Sequence, residues 1–135
     1  ANNATLAGHV QVGDNVLLGG LSAVHQFVRI GSFAVIGGMS GVESDVIPYG
    51  SVLGNRANLS GLNTVGMKRR GVPRDDIVAL RHAFRVLFLG HGLFADRLAA
   101  VADRHGDRSR VMEIVAFLRT PSRRSFCKPR GRNGG

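Results

Sequence analysis

The stretch Ala4-Thr5-Leu6-Ala7-Gly8-His9-Val10-Gln11-Val12-Gly13-Asp14-Asn15-Val16-Leu17-Leu18-Gly19 decides the fold, because it sets a period of six that holds as far as residue 42. Leu6, Val12, Leu18, Val24, Ile30, Ile36 and Val42 stand six apart. Two positions before each stands a small or β-branched residue: Ala4, Val10, Val16, Ser22, Val28, Ala34 and Ser40. A six-residue period fits neither an α-helix nor a lone strand, and repetition of this kind marks a stacked architecture. Side chains alternate along a strand, so the aliphatic residue and the small one two before it share one interior. The period predicts a parallel β-helix whose turns each comprise three six-residue faces, with Gly13, Gly19, Gly31 and Gly37 easing the tight corners.

Outward from that stretch, 135 residues suit one domain with an appendage. The repeat occupies residues 1–47, and Pro48-Tyr49-Gly50 breaks it. Residues 48–72 read as an irregular connector rich in glycine and asparagine. Pro73 and Asp75-Asp76 mark a first helical turn, and Ile77, Leu80, Phe84, Leu87 and Phe88 form the apolar stripe of a packed helix that ends at His91-Gly92. Further helices are expected over 93–105 and 109–119, antiparallel to their neighbours because the links are short. Residues 73–119 are thus a helical domain of about three helices, and 120–135 a basic tail. The chain begins with Ala1 in mid-repeat and holds about two and a half turns of the three or more such a stack needs, so it is expected to be part of a longer protein.

The net charge of +9 is unevenly placed. Arg119, Arg123, Arg124, Lys128, Arg130 and Arg132 crowd the C-terminal end without an acid, whereas the repeat through Pro48 carries Arg29 against Asp14, Glu43 and Asp45. Such a tail suits nucleic acid or an anionic surface. Phe126 alone interleaves with its cations, so no stacking platform for bases exists and no nucleic-acid partner is expected; a solvated, partly disordered terminus is. The lone Cys127 permits no internal disulfide, which suits a cytoplasmic protein. No stretch is long and apolar enough for stable membrane insertion, and there is no charged-then-apolar leader.

Residues that can carry chemistry lie where the repeat is violated. His25 takes a slot that is glycine in most repeats, Gln26 follows it, and His9, sixteen residues earlier, is expected near His25 on the adjacent turn. Two histidines at this spacing lack a third zinc ligand, so neither metal nor cofactor is expected. His82, His91 and His105 sit on or beside the helices without ligand partners and are read as structural or solvent-facing.

Four segments carry a family resemblance: Ala1-Asn2-Asn3-Ala4-Thr5-Leu6-Ala7-Gly8-His9-Val10, Gly19-Gly20-Leu21-Ser22-Ala23-Val24-His25-Gln26-Phe27, Ile36-Gly37-Gly38-Met39-Ser40-Gly41-Val42, and Gly61-Leu62-Asn63 with Gly66-Met67-Lys68-Arg69-Arg70-Gly71. Together they closely resemble the bacterial UDP-N-acetylglucosamine O-acyltransferases of lipid A biosynthesis, over the second half of that family's length. The Ala-Val-His-Gln-Phe and Lys-Arg-Arg-Gly segments are the specific ones. Bare hexads are shared by many acyl- and nucleotidyltransferases, and the Lys-Arg-Arg-Gly connector argues against the related N-acyltransferase of the same pathway.

The resemblance implies a mainly β plus α fold, a left-handed parallel β-helix of hexapeptide repeats followed by the helical domain, assembled as a homotrimer with clefts between neighbours. The implied reaction moves a 3-hydroxyacyl group from acyl carrier protein to the 3-hydroxyl of UDP-N-acetylglucosamine. It needs a base for the hydroxyl proton and donors for the tetrahedral oxyanion. The family's base is a histidine upstream of the first segment, absent from this chain. Gly8 matches the backbone oxyanion donor; His9 and Gln26 match substrate-contacting positions, and His25 a polar position flanking the cleft. Gly38 matches the position that limits the acyl tail, and Asn63, Arg69 and Arg70 match residues that hold the nucleotide, for which guanidinium forks suit a diphosphate. Val65 departs from relatives that carry an acid near the uridine. Without the base, a non-catalytic trimeric β-helix or interaction module is the alternative, and the basic helical surface would suit an acidic carrier protein.

Overall fold

The computed structural model describes residues 2–131; Ala1 of the repeat and Arg132 of the basic tail lie outside the described residues. Two-residue strands follow the six-residue period: β1 Thr5–Leu6, β2 Gln11–Val12, β3 Leu17–Leu18, β4 Ala23–Val24, β5 Arg29–Ile30, β6 Val35–Ile36 and β7 Gly41–Val42. Every third strand returns to the same parallel sheet, giving β1-β4-β7, β2-β5 and β3-β6. Thr5 faces Ala23 and Ala23 faces Gly41, a step of eighteen residues. The chain therefore winds as a three-sided coil, with the aliphatic residue of each hexad pointing in. Val24, Ile30, Ile36 and Val42 are at most 3% exposed, whereas Leu6 and Val12 on the first turn remain 45% and 41% exposed. The same residue types differ in whether later chain covers them on both sides, a difference worth about 1.5–3 kcal/mol per fully buried side chain.

Each corner takes two residues, and the second adopts a left-handed backbone: Asn3, His9, Asn15, Leu21, Phe27, Phe33, Met39 and Tyr49 have φ between 58° and 66°. None of these is glycine, which corrects the expected reason for the glycines. Gly13, Gly19 and Gly31 stand just after a strand, and a Cβ there would strike the backbone nitrogen of Ser32, Gly38 and Pro48 on the next turn. They make room for stacking; their conformational freedom is not called upon.

The last turn is two residues short, since Ile30 bridges Val46 and Val35 faces Ser51, sixteen residues on. The third sheet then continues into β8 Gly50–Leu53, which pairs antiparallel with β9 Asn58–Leu62, and α1 Thr64–Arg69 follows. Residues 48–72, expected to be irregular, thus hold a hairpin and a short helix. α2 Arg74–Leu89, α3 Phe94–Arg104 and α4 Ser109–Arg119 pack through Ile77, Leu80, Leu87, Phe88, Leu98, Val101, Val111, Ile114 and Val115. No helix among the described residues is long and apolar enough to cross a membrane.

Two polar links join helices to coil. Arg29 donates from its backbone N–H and Nε to the buried carboxylate of Asp45, at 2.8 and 3.0 Å, reaches the Phe117 carbonyl at 3.1 Å, and stacks on the Phe117 ring. Tyr49 donates its hydroxyl to Glu113 at 2.6 Å. The tail is expected to be solvated, yet its residues 123–128 are docked. The Asp45 N–H donates to the Ser125 carbonyl and the Cys127 N–H to the Asp45 carbonyl, both at 2.7 Å. Phe126 packs against Phe88 and Phe94, and burial beside the Asp45 charge pushes the Cys127 thiol up to about 12.

Candidate functional site

The coil has three edges, and each stacks its corners into a column. In the first column Gly8-His9 lies over Gln26-Phe27, joined by the Phe27 N–H donating to the Gly8 carbonyl at 3.2 Å. Gly8 is exposed, its N–H has no acceptor among the described residues, and a Cβ added there would meet no atom within 4 Å. The His9 ring stacks on Phe27, with centroids 5.0 Å apart and an interplanar angle of 21°. A step of eighteen sets Phe27 level with His9, and His25, expected near His9 on the adjacent turn, stands two residues before Phe27 at the same edge. His25 precedes the corner and is exposed, its N–H donating to the Val42 carbonyl at 2.9 Å. Its non-glycine slot faces the shortened turn, where no left-handed corner forms between Val42 and Val46.

Gly38 stands in the second column, over Gly20, whose carbonyl would lie 3.4 Å from an added Cβ. Beside it Leu21 and Met39 are 59% and 71% exposed. Asn63 belongs to the third column, where Phe33 stacks on Tyr49 with centroids 5.4 Å apart. Its amide donates to the Phe33 carbonyl at 2.8 Å while its Oδ1 caps α1 by accepting from the Gly66 N–H at 3.1 Å. A side chain at Gly66 would strike that amide, so Asn63 and Gly66 are a matched pair. Arg69 and Arg70 end α1, exposed and without a carboxylate partner among the described residues. The structure therefore gathers Gly8, His9, His25 and Gln26 at one edge and leaves Gly38 and the Asn63, Arg69 and Arg70 group at the other two. One chain does not bring them together.

Two features escaped the sequence reading. The tail returns to the first column, where Arg124 Nε donates to the Gln26 carbonyl at 3.1 Å and the Arg123 guanidinium lies 4.1 Å over the Phe27 ring. Contacts spanning most of the chain leave no local signal. His82 Nδ1 and His105 Nε2 are hydrogen-bonded at 2.9 Å across α2 and the end of α3. Burial lowers the proton affinity of both; Arg104 and Arg85 reinforce this at His82, and His82 and Arg104 do so at His105. They line a groove of about 520 Å³ with Arg85, Arg104, Arg108 and Asp75. Among the described residues no three metal-ligating side chains converge, so the pair is a hydrogen bond inside the helical part.

The first edge carries the Gly8 N–H, the His9 imidazole, the Gln26 carboxamide and the Arg123 and Arg124 guanidiniums, donor types suited to an oxyanion and to anionic substrate groups. A family model described as UDP N-acetylglucosamine O-acyltransferase, domain 2, matches residues 45–127. An acyl-[acyl-carrier-protein]–UDP-N-acetylglucosamine O-acyltransferase of Sinorhizobium fredii is 48% identical over 135 residues, covering 99% of this chain and 50% of that protein. One of Paracoccus denitrificans is 48% identical over 128 residues, 95% of this chain and 48% of its own length. Among solved structures, Arabidopsis UDP-N-acetylglucosamine acyltransferase superposes with a TM-score of 0.89 at 42% identity, over 95% of this chain and 48% of that one. The Campylobacter jejuni enzyme gives 0.87 at 35%, over 96% and 50%. The chain spans about half the length of the relatives it matches.

Proposed function

Because the chain belongs to the UDP-N-acetylglucosamine O-acyltransferase family, we propose that it is the C-terminal half of a cytoplasmic enzyme that moves a 3-hydroxyacyl group from acyl carrier protein to the 3-hydroxyl of UDP-N-acetylglucosamine, an early step of lipid A synthesis. The observation that carries the reading is Gly8. Its N–H has no acceptor among the described residues and its Cβ side is open, at the corner that also holds His9 and Gln26, as suits a donor for a tetrahedral oxyanion. His9 and Gln26 contact the substrate, His25 flanks the cleft, and a histidine upstream of Ala1 in the full-length protein takes the hydroxyl proton.

The remaining residues serve the site across a subunit boundary. The coil is a left-handed parallel β-helix packed as a homotrimer, so that the first edge of one copy meets another edge of its neighbour. Two observations support this: the eight candidate residues are spread over three edges of one chain, and Leu17, Leu21, Met39 and Leu53 are exposed apolar side chains. Gly38 sets the depth of the acyl groove between copies. Arg69 and Arg70 hold the diphosphate, and Asn63 positions them by capping the helix that carries them. Val65 leaves the uridine without an acidic contact at that position.

The test is to join this chain to the N-terminal half of the Sinorhizobium fredii relative and assay transfer from a 3-hydroxyacyl carrier protein. Turnover is expected from the joined protein and negligible turnover from residues 1–135 alone, since loss of a general base costs about a hundredfold to ten-thousandfold. Wild-type-like transfer by the shorter chain, or none by the joined protein, would overturn the reading.

A further inference from the structure

The C-terminal tail supplies cations to the first edge that the reaction as proposed does not use. Arg124 is tied by Nε to the Gln26 carbonyl at 3.1 Å, a bond that engages neither of its two terminal nitrogens. Arg123 lies 4.1 Å over the ring of Phe27, the ring on which His9 stacks. Both are held by the pairing of Phe126 with Asp45 at the shortened turn. Between tail and coil opens a cavity of about 270 Å³, lined by His9, Gln11, Phe27, Arg29, Ser122 and Arg123 among others. Among the described residues no carboxylate lines it, and Arg29 is already matched by Asp45. Neither Arg123 nor Arg124 has an acidic partner among the described residues.

Uncompensated guanidiniums fixed beside donors of a proposed site attract an anion, and the fork of arginine matches phosphate oxygens two at a time. The volume suits a single phosphate group better than an extended polyanion. We propose that Arg123 and Arg124 form a phosphate-binding lip on the Gly8–His9–Gln26 corner, a proposal that rests on the acyltransferase reading. Both substrates of that reading carry phosphate: the diphosphate of the sugar nucleotide, and the phosphodiester through which a carrier protein holds its pantetheine arm. The lip binds one of these and takes no part in proton transfer.

The experiment uses the joined protein and its Arg123→Gln, Arg124→Gln double variant. The KM for the phosphate-bearing substrate is expected to rise about tenfold or more, in line with lost hydrogen bonds to a charged group, with little change in kcat. Arg123→Lys with Arg124→Lys should recover part of it. An acyl-pantetheine donor without phosphate separates the sources: equal KM values for parent and variant on that donor place the carrier's phosphodiester at the lip, whereas a raised KM for UDP-N-acetylglucosamine places the nucleotide there. Unchanged KM values for both substrates, or a loss of kcat and melting temperature without a KM change, would overturn the lip and make the pair a strap for the tail. Binding of inorganic pyrophosphate measured in an Arg69→Gln, Arg70→Gln background, where the nucleotide loop no longer contributes, and weakened on adding Arg123→Gln and Arg124→Gln, tests the lip apart from turnover. A joined protein that binds pyrophosphate this way yet transfers no acyl group keeps the lip and refutes the reaction; one that does not bind it refutes the lip.

Discussion

Two corners of this coil are built alike and end differently. At the first edge His9 stacks on Phe27, and at the third Phe33 stacks on Tyr49, both with an interplanar angle of 21° and with these residues in left-handed backbone. The third edge is then covered: Asn63 ties off the Phe33 carbonyl, Glu113 takes the Tyr49 hydroxyl, and Tyr49 is buried. The first stays open, with Gly8 exposed and tail residues such as Arg123 leaning over it. Stacked rings at a corner are thus a property of the winding. What distinguishes a site is the polar backbone that later elements leave uncovered, and four outcomes would break or sharpen that contrast.

The largest effect is expected at the open corner. Pro48 already occupies the first position of a corner at the third edge, ahead of left-handed Tyr49, so Gly8→Pro should keep the turn while deleting one N–H. In the joined protein kcat should fall about 10²–10³-fold, or about 2.7–4 kcal/mol, with an unchanged circular dichroism melt; undiminished turnover would leave the open corner without its assigned chemistry. Next comes Arg69, at the solvent end of the helix that Asn63 caps. Arg69→Ala should raise KM for UDP-N-acetylglucosamine by about 1.5–3 kcal/mol, and Arg69→Lys should recover only part because a point charge lacks the fork. A rise in KM for the carrier protein alone would move this loop to the protein partner.

At the covered corner Asn63→Ala should cost about 1–2 kcal/mol of stability without any ligand, since it removes a helix cap and strands the Phe33 carbonyl. Denaturant unfolding showing no loss would mean that this edge is as open as the first. The smallest effect should appear in the helical part. Burial and nearby guanidiniums hold His82 and His105 below the ordinary value of 6.5. Below that pH the unfolded chain binds more protons than the folded one, so their contribution is whole above about 6.5 and is lost as the pH falls further. The His82→Gln, His105→Gln double variant should flatten the fall in melting temperature between pH 7 and 5; an equally steep fall would place the acid sensitivity elsewhere.

The winding was legible because its rule is local. Leu6 to Val42 at intervals of six fix which side chains face in, and the stripe from Ile77 to Phe88 marks α2 within a residue or two. That His9, His25 and Gln26 share one edge follows from the same rule, since a step of eighteen is simply three hexads; the role of Gly8 rested on the family resemblance alone. The hairpin β8-β9 was not, because glycine and asparagine serve a bulged strand pair as readily as a loop, with Gly61 at φ 157° and the register shifting at Ser51 and Val52. Nor was the separation of the candidate residues over three edges, which only counting corners around the coil reveals. The docking of Phe126 on Asp45 and the bond between His82 and His105 join elements distant in sequence, and no residue near either announces its partner.

The shortened turn at Asp45 has a consequence for the order in which the molecule can be made. The strands of the coil pair at sixteen or eighteen residues' separation, so each turn can settle on the last as the chain is synthesised. Asp45 differs: its backbone waits for Ser125 and Cys127, and the Gln26 carbonyl waits for Arg124. The nascent coil therefore carries an unpaired sheet end and a bare corner until the segment from Arg123 to Cys127 has left the ribosome, and a chain clipped before Arg123 would present a formed coil with an unfinished first edge.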